Sequence, residues 1–186
     1  MFCKVLSMGL SGIEGYPVTV EVDCRRGMPS FELVGLPDAA VKESRERVRA
    51  AMANLGFPLP EGRTVVNLAP AHTRKSGPLY DLPLLLGLLG ASGCISDMDT
   101  RDCAFVGELS LDGRLRPVAG ALSMAMAARA AGVRRLFVPW ANGAEAGVVR
   151  DLAIHPVRTA MEVVDALRGV RTLPTAQELD YQIGRA

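Results

Sequence analysis

The chain has 186 residues, a formal net charge of +1 and 49% hydrophobic content, so it is long enough to bury the core of one domain. The longest apolar run, Leu82 to Ala91, contains Pro83 and covers about half a membrane span. The segment from Met1 to Leu10 is too short and polar for a signal sequence, which predicts a cytoplasmic protein without membrane contact. The net charge argues against a protein coated in nucleic acid but permits a local basic patch.

The cysteines and histidines give no sign of a disulfide framework or a metal site. The four cysteines lack Cys-x-x-Cys spacing and lie in or beside apolar segments, which favours buried thiols: Cys3, Cys24, Cys94 and Cys103. The two histidines, His72 and His155, are too few for a metal constellation. His155 precedes a proline at a predicted strand end, where a structural hydrogen bond is expected.

The first third of the chain reads as three strands and a helix. Lys4 to Met8 is a strand, and Tyr16 to Asp23 alternates between apolar and polar residues, which is typical of a strand with one wet face. Pro29 to Gly35 alternates again after a turn, so we predict that it forms a β-hairpin with the strand before it. A helix then begins at Leu36-Pro37-Asp38 and is closed by Gly56 as the left-handed cap residue.

The first helix separates its apolar and basic residues onto different faces. One face carries Val41, Ser44, Val48, Ala51, Met52 and Leu55. Another carries Lys42, Arg45 and Arg49 at helical spacing, while Glu43 can pair with Arg47 one turn later. These cations can form a solvated face that is stabilised by ion pairs. Alternatively, they can form a ridge that binds phosphate or an acidic partner.

The segment around which the rest is organised joins a strand, Thr64 to Leu68, to an apolar helix, Leu82 to Leu89. Because this helix is apolar on every side, it is predicted to be central and covered all round. The polar loop between them, residues 72–77, is predicted to be exposed and to present Arg74 and Lys75. Asp81 suits the first helical turn, where a carboxylate meets the positive end of the helix dipole, and we expect it to have a structural role.

The same loop resembles a Walker A motif in length and in its Lys-Ser ending. Ala69 and Arg74 stand where that motif needs glycines. Those glycines let the backbone curl around phosphate, so their loss argues against nucleotide binding here.

Alternating strands and helices make up the remainder. The predicted elements are the strand Cys103 to Glu108, a turn at Leu111 to Arg114, the returning strand Leu115 to Val118, the helix Gly120 to Ala131, the strand Arg134 to Pro139, the helix Asn142 to Val149, the strand Leu152 to Pro156 and the helix Thr159 to Arg168. The fold class is therefore α/β or α+β, with helices packed on one mixed sheet. From Leu173 onward no periodicity is strong enough to bury a face, so residues 1–170 are predicted to form the domain and residues 171–186 a linker or tail.

Three stretches resemble a known family: GLPDAAVKESRERVR in the first helix, NLAPA at the end of the following strand, and GELSLDGRLRPV around the later hairpin. They are similar to the amino-terminal domain of the ComM/YifB family of magnesium-chelatase-like AAA+ ATPases, over about Lys4 to Gly169. The resemblance implies the fold of the Lon proteolytic domain, which is also described as ribosomal-protein domain-2-like. It implies that an ATPase module, which binds ATP and Mg, follows this domain.

The likeness to Lon gives a test for protease activity. Lon proteases carry a catalytic serine in the motif KDGPSAG and a catalytic lysine in GGIKEK. The segments that resemble them here are KSGPLYD and AGALSM, which place Leu79 at the serine position and Leu122 at the lysine position. A leucine side chain supplies neither a nucleophile nor a base, so no enzyme activity is expected of this dyad. Ser76 with Lys75 is the remaining shifted pair, and a peptidase with a non-standard nucleophile stays a third alternative.

For the family, the resemblance implies ATP-driven DNA remodelling, including helicase and branch-migration activity in recombination and natural transformation, by ring-shaped hexamers. The expected role of this domain is DNA binding or assembly beside its own AAA+ module and neighbouring subunits, with no cofactor of its own. The candidate DNA- or partner-binding residues are cationic and expected to be exposed: Lys42, Arg45, Arg49, Arg74 and Lys75. The alternative is a purely structural oligomerisation module.

Overall fold

A mixed seven-stranded sheet with helices on both faces forms the body of the protein. The computed structural model describes the backbone of residues 1–183 and the side chains of residues 1–180. The strands are β1 (Phe2–Ser11), β2 (Glu14–Arg25), β3 (Ser30–Val34), β4 (Arg63–Ala69), β5 (Cys103–Phe105), β6 (Glu108–Leu109), β7 (Leu115–Arg116), β8 (Arg135–Pro139) and β9 (Ala153–Val157). The helices are α1 (Ala39–Asn54), α2 (Asp81–Ala91), α3 (Ala121–Ala130), α4 (Gly143–Ala146), α5 (Ala160–Leu167) and α6 (Ala176–Ile183). The predicted α/β class is confirmed.

The strand order is β3-β4-β2-β1-β5-β8-β9, and β6 pairs with β7 as a separate antiparallel hairpin. Within the seven-stranded sheet β2 runs antiparallel to β1 and β4, and the other neighbouring pairs are parallel. None of the helices in residues 1–183 is long and apolar enough to cross a membrane.

The predicted hairpin between β2 and β3 is wrong. β4 lies between them, antiparallel to β2 and parallel to β3, and β2 instead forms the hairpin with β1. The reason is burial: Val66 and Leu68 of β4 pair with Val22 and Val20 of β2 and extend its apolar face. Alternation identifies a strand and its buried face, but several strands with the same alternation can satisfy it as partners.

Two helices cover opposite faces of β2. Gly87 of α2 lies so close to Val22 that a Cβ on it would come 2.7 Å from the valine methyl. Gly15 is an odd number of residues from Val22 along β2. A Cβ on Gly15 would come 2.5 Å from the carbonyl oxygen of Ser123 in α3. Because neighbouring strand residues point to opposite faces, α2 and α3 lie on different sides of the sheet. Further along β2 the predicted wet face is confirmed, because Thr19, Glu21 and Asp23 are partly exposed while the valines between them are buried.

Helix α2 is central, as its unbroken apolar sequence predicts. Each of its residues from Asp81 to Ala91 except Gly90 is buried. Gly90 is needed for close packing, since a Cβ there would lie 2.2 Å from the Cys3 sulfur. The sheet can therefore approach the helix backbone closely at Gly87 and Gly90.

The prediction that residues after Leu173 lack packed structure is wrong. Helix α6 packs against β9 and α4, and Ala176 at its start is buried. Thr175 caps this helix, because its hydroxyl accepts from the Glu178 amide while the Glu178 carboxylate accepts from the Thr175 amide. The segment is too short to show a periodic pattern, so its cap is the stronger sequence signal. Residues 184–186 of the predicted tail lie outside the described residues.

His155 helps to hold this segment on the sheet. Arg135 Nε donates to His155 Nε2 at 3.3 Å, so Nδ1 carries the proton and donates to the Pro174 carbonyl at 3.2 Å. Burial and the Arg135 charge lower the pKa of His155 below its usual value. The structural hydrogen bond predicted for His155 is confirmed.

The four cysteines are free thiols, of which Cys3 and Cys103 are buried.

A buried ion pair joins α1 to the start of α2. The Asp81 carboxylate, which is fully buried, accepts from Arg47 Nε at 2.6 Å and from Arg47 Nη2 at 3.0 Å. It also accepts from the Leu109 amide of β6 at 2.9 Å. Asp81 therefore has the predicted structural role, and these three bonds to Arg47 and Leu109 add to its position in the first helical turn.

We expect Asp81→Ala to lower the free energy of unfolding by about 3–5 kcal/mol, because it leaves the Arg47 guanidinium without its buried partner. Glu43→Ala is the matched control, since Glu43 contacts the same guanidinium at 3.6 Å from an exposed position. That variant should lose less than about 1 kcal/mol. Urea unfolding at neutral pH measures both, and equal small losses would contradict the structural role of Asp81.

Candidate functional site

The predicted basic row lies on one flank of α1. Lys42, Arg45 and Arg49 are exposed, and their spacing places them within one side of the helix. Arg47 lies on the opposite flank, where it pairs with Asp81, and the predicted pair between Arg47 and Glu43 is present at 3.6 Å. The row therefore lies on the flank of α1 opposite Arg47, and at Arg45 it borders the edge strand β3.

Arg45 marks where the row meets the sheet. Its guanidinium carbon lies 5.7 Å from the centroid of the Phe31 ring in β3, within reach of a cation–π contact. Its Nε also lies 3.4 Å from Glu46, although both side chains are largely exposed. Such an exposed pair is weak, so Arg45 remains available to an anion from solution.

The loop that carries Arg74 is pinned beside the amino-terminal end of α1. Asp38 caps α1 by accepting from the Val41 amide at 2.8 Å, and its second oxygen accepts from the Gly77 amide at 3.2 Å. The backbone of residue 75 is bonded to Leu36 and Asp38, at 3.0 and 2.9 Å. Arg74 is exposed on this loop, so the structure brings a fourth exposed cation to the end of α1 from which the row begins.

The expectation that Lys75 is exposed is wrong. Its side chain is fully buried, and its Nζ donates to the carbonyl oxygens of Gly35, at 2.9 Å, and of Pro70. Burial lowers the pKa of Lys75 below its ordinary value. A lysine held inside the fold by two carbonyls cannot reach a DNA phosphate, so it leaves the set of candidate contact residues.

The start of α2 offers no anion site, although the sequence places it directly after the basic loop. Leu79, Tyr80 and Asp81 are all buried there, and the Asp81 carboxylate already occupies the first turn. A second anion would be repelled by that carboxylate and excluded by the packing. Among the described residues no group of three or more His, Cys, Asp or Glu side chains is placed to hold a metal ion.

The two leucines that the sequence resemblance matches to the Lon dyad differ in their surroundings. Leu79 is buried in the core, whereas Leu122 on α3 is 38% exposed. Ser76 is exposed beside buried Lys75, and the Nζ of that lysine is engaged by Gly35 and Pro70.

Comparison with known proteins agrees with this architecture. A family model of subunit ChlI of Mg-chelatase matches residues 20–142, about two thirds of the chain. The chain belongs to the Mg-chelatase-like ComM/YifB family. It is 39% identical to competence protein ComM of Haemophilus influenzae, over 94% of this chain and 34% of that protein. It is 39% identical to the uncharacterized protein YifB of Salmonella typhimurium, over 90% of this chain and 33% of that protein.

A weaker similarity extends to a protease. This ComM/YifB family chain is 25% identical to Lon protease of Escherichia coli, over 87% of its own length and 22% of that protein. It spans about a third of the length of its ComM and YifB relatives. The resemblance inferred from sequence motifs is thus confirmed at the level of the family.

Sequence reasoning missed the contribution of β3 to this surface. Alternation places Phe31 on the buried side of its strand, but the ring is half-buried and borders Arg45. The sequence signal for this partial exposure was the position of Phe31 near the start of a short strand, where neighbouring residues bury a side chain incompletely. The contact with α1 depends on tertiary packing and leaves no mark in the local pattern.

We expect Lys75→Ala to lower the free energy of unfolding by about 2–5 kcal/mol, because it removes a buried stem and leaves two carbonyls without their donor. Arg74→Ala is the matched control with the same change of charge at the neighbouring exposed position. Its effect should stay within about 0.5 kcal/mol. Chemical denaturation of both variants measures the difference, and an unchanged midpoint for Lys75→Ala would refute the burial of this lysine.

Proposed function

We propose that this domain is a non-catalytic DNA-binding and assembly part of a Mg-chelatase-like AAA+ ATPase. The observation that carries the proposal is the row of exposed cations, Lys42, Arg45 and Arg49, with Arg74 on the loop pinned at its end. Regularly spaced cations along a helix can follow a phosphate backbone and neutralise it without reading sequence.

The setting of the domain in a larger protein supports this role. The relatives are about three times longer than this chain, which leaves room for the ATPase module, with its ATP and Mg, and for ring assembly in a hexamer. The Haemophilus influenzae relative is named a competence protein, which supports action in natural transformation. Within the proposal, that action is DNA remodelling by helicase or branch-migration activity during recombination. Weak contacts from single domains would then be multiplied by avidity around a ring.

The absence of a catalytic dyad supports a binding role. Leu79 and Leu122 supply no nucleophile and no base at the Lon-type positions. The shifted pair, Ser76 with Lys75, is also unsuited to catalysis, because the Lys75 amine is bonded to the carbonyls of Gly35 and Pro70 and is fully buried. It is not placed as a base that takes a proton from exposed Ser76.

The logarithm of the DNA affinity should fall linearly with the logarithm of the salt concentration. The slope should be about 0.7 per neutralised phosphate for single strands and about 0.9 for duplex. Arg45→Glu/Arg49→Glu should reduce that slope by about 1.4 to 1.8, because two of the exposed cations are lost. Fluorescence anisotropy with single-stranded and forked DNA at several salt concentrations measures the slope.

Arg129→Glu/Arg150→Glu is the matched control, because it reverses the same number of exposed charges away from α1. Its slope should equal that of the wild type. If both double variants reduce the slope equally, net charge rather than the row governs binding. If neither changes it while both remain folded, the row is an ordinary solvated surface.

The purified chain should cleave unfolded casein no faster than a buffer control, because no residue pair at the Lon-type positions can form an acyl-enzyme. A fluorescent casein assay over several hours measures this. Cleavage that persists through purification and disappears in Ser76→Ala would instead establish a peptidase with a non-standard nucleophile.

A structural assembly module is the second candidate, and one surface favours it. Ile13 at the β1–β2 turn is 87% exposed, and on α3 Leu122 and Met126 are 38% and 50% exposed. Ile13 and Met126 line a common depression of about 310 Å³, so these apolar side chains are neighbours. Rings or dimers that form with rising protein concentration and ignore DNA would favour this role over DNA binding.

A further inference from the structure

A pocket lies where the cation row reaches the end of the sheet. It has a volume of about 180 Å³ and lies between α1, α2, the start of β3 and the connection into β4. Leu88 of α2 and the rigid rings of Pro29 and Pro60 give it apolar walls, while Arg45 and Arg49 stand on its rim. A cleft that combines apolar and polar walls with two arginines fits a ligand with a flat ring at one end and an anionic group at the other.

Phe31 supplies the aromatic surface of this pocket. Its ring is half-buried, so one part is held by the core and the rest borders the cavity. The Arg45 guanidinium carbon lies 5.7 Å from the ring centroid. Aromatic rings and guanidinium planes are the two side-chain groups on which unpaired nucleobases stack.

The polar wall of the pocket is set by backbone constraints. The Ser30 amide donates to the Gly62 carbonyl at 3.2 Å, which joins the start of β3 to the chain entering β4. Gly62 has a φ of +100°, and a Cβ on it would lie 2.5 Å from the Arg25 carbonyl. Glycine is therefore required there, and the hydroxyl-bearing Ser30 and Thr64 are held beside Phe31 in a preformed cleft.

We propose that this pocket receives one unstacked base of single-stranded DNA while the strand's phosphates follow Lys42, Arg45 and Arg49. This inference rests on the proposed function and adds its substrate class, single strands over duplex. A duplex keeps its bases paired and stacked, so filling the pocket from duplex DNA would cost the energy of base extrusion. A free mononucleotide has the same ring and phosphate chemistry, and the experiment separates it from a strand.

The test compares Phe31→Leu with the wild-type chain, because leucine keeps the apolar volume and removes the stacking surface. The affinity for an oligothymidylate strand should fall about five- to tenfold, as expected for loss of one base–aromatic stack. The affinity for a duplex should not change. Phe57→Leu is the matched control, since Phe57 is a half-buried aromatic residue that does not line the pocket, and it should bind both DNAs like the wild type.

A second variant guards against misfolding. Phe31→Trp restores a stacking ring and should keep the preference for single strands, with folding of every variant checked by thermal melting. If Phe31→Leu is folded and binds oligothymidylate like the wild type while Arg45→Glu/Arg49→Glu loses binding, the pocket inference falls and the proposed function stands. If neither variant changes binding, both fall.

Competition with thymidine monophosphate completes the experiment. Strand binding predicts that the mononucleotide displaces oligothymidylate only at concentrations far above those of the strand, because it lacks the neighbouring phosphates. Displacement by the mononucleotide at the same concentration as the strand would show a site for free nucleotides and would overturn the assignment to single-stranded DNA.

Discussion

The buried contact between Arg47 and Asp81 sets the orientation of the surface that this domain presents. Asp81 is fully buried and accepts from Arg47 of α1 and from the Leu109 amide of β6, so one carboxylate joins α1, α2 and β6. Removing either partner would leave a charge without compensation in the interior, which makes this arrangement strongly preferred over alternatives. Because Arg47 fixes one flank of α1 against α2, the opposite flank must face β3 and solvent. The row of Lys42, Arg45 and Arg49 owes its exposure to this rotation of the helix.

The neighbouring cations Arg74 and Lys75 have different roles, because in the part of the chain that the structure describes only the Lys75 side chain has hydrogen-bond partners inside the fold. Arg74 is exposed, whereas Lys75 is buried and joins the end of β3 to the turn at Pro70 through the carbonyls of Gly35 and Pro70. The buried lysine holds the loop in place, and the Asp38 carboxylate ties the same loop to the first turn of α1. The contacts of Lys75 and Asp38 in this loop therefore stabilise the fold. The charges left at the surface are available for binding.

Under the proposed function, the local balance of charge on α1 predicts weak binding of DNA by a single domain. Glu43 and Glu46 alternate with the cations on α1, and Glu46 lies 3.4 Å from Arg45. These carboxylates reduce the potential near a phosphate, and salt screens what remains over about 8–10 Å. A surface of this kind gains affinity through repetition in an assembly and through additional contacts such as base stacking, rather than through a high net charge.

Local periodicity in the sequence determined the central position of α2, the wet face of β2, the turn at Asp112-Gly113 and the grouping of Lys42, Arg45 and Arg49 on one flank, because each depends on residues only a few positions apart. Tertiary structure alone decided the insertion of β4 between β2 and β3, the docking of α6 and the pocket at Phe31. The burial of Lys75 shows why, because the Gly35 carbonyl that accepts from its amine is 40 residues away. The sequence of a polar loop does not reveal whether a distant carbonyl will accept a hydrogen bond from one of its lysines. Local pattern fixes which residues share a face, whereas the choice among distant partners follows from the packing that buries the most apolar surface and leaves the fewest polar groups unpaired.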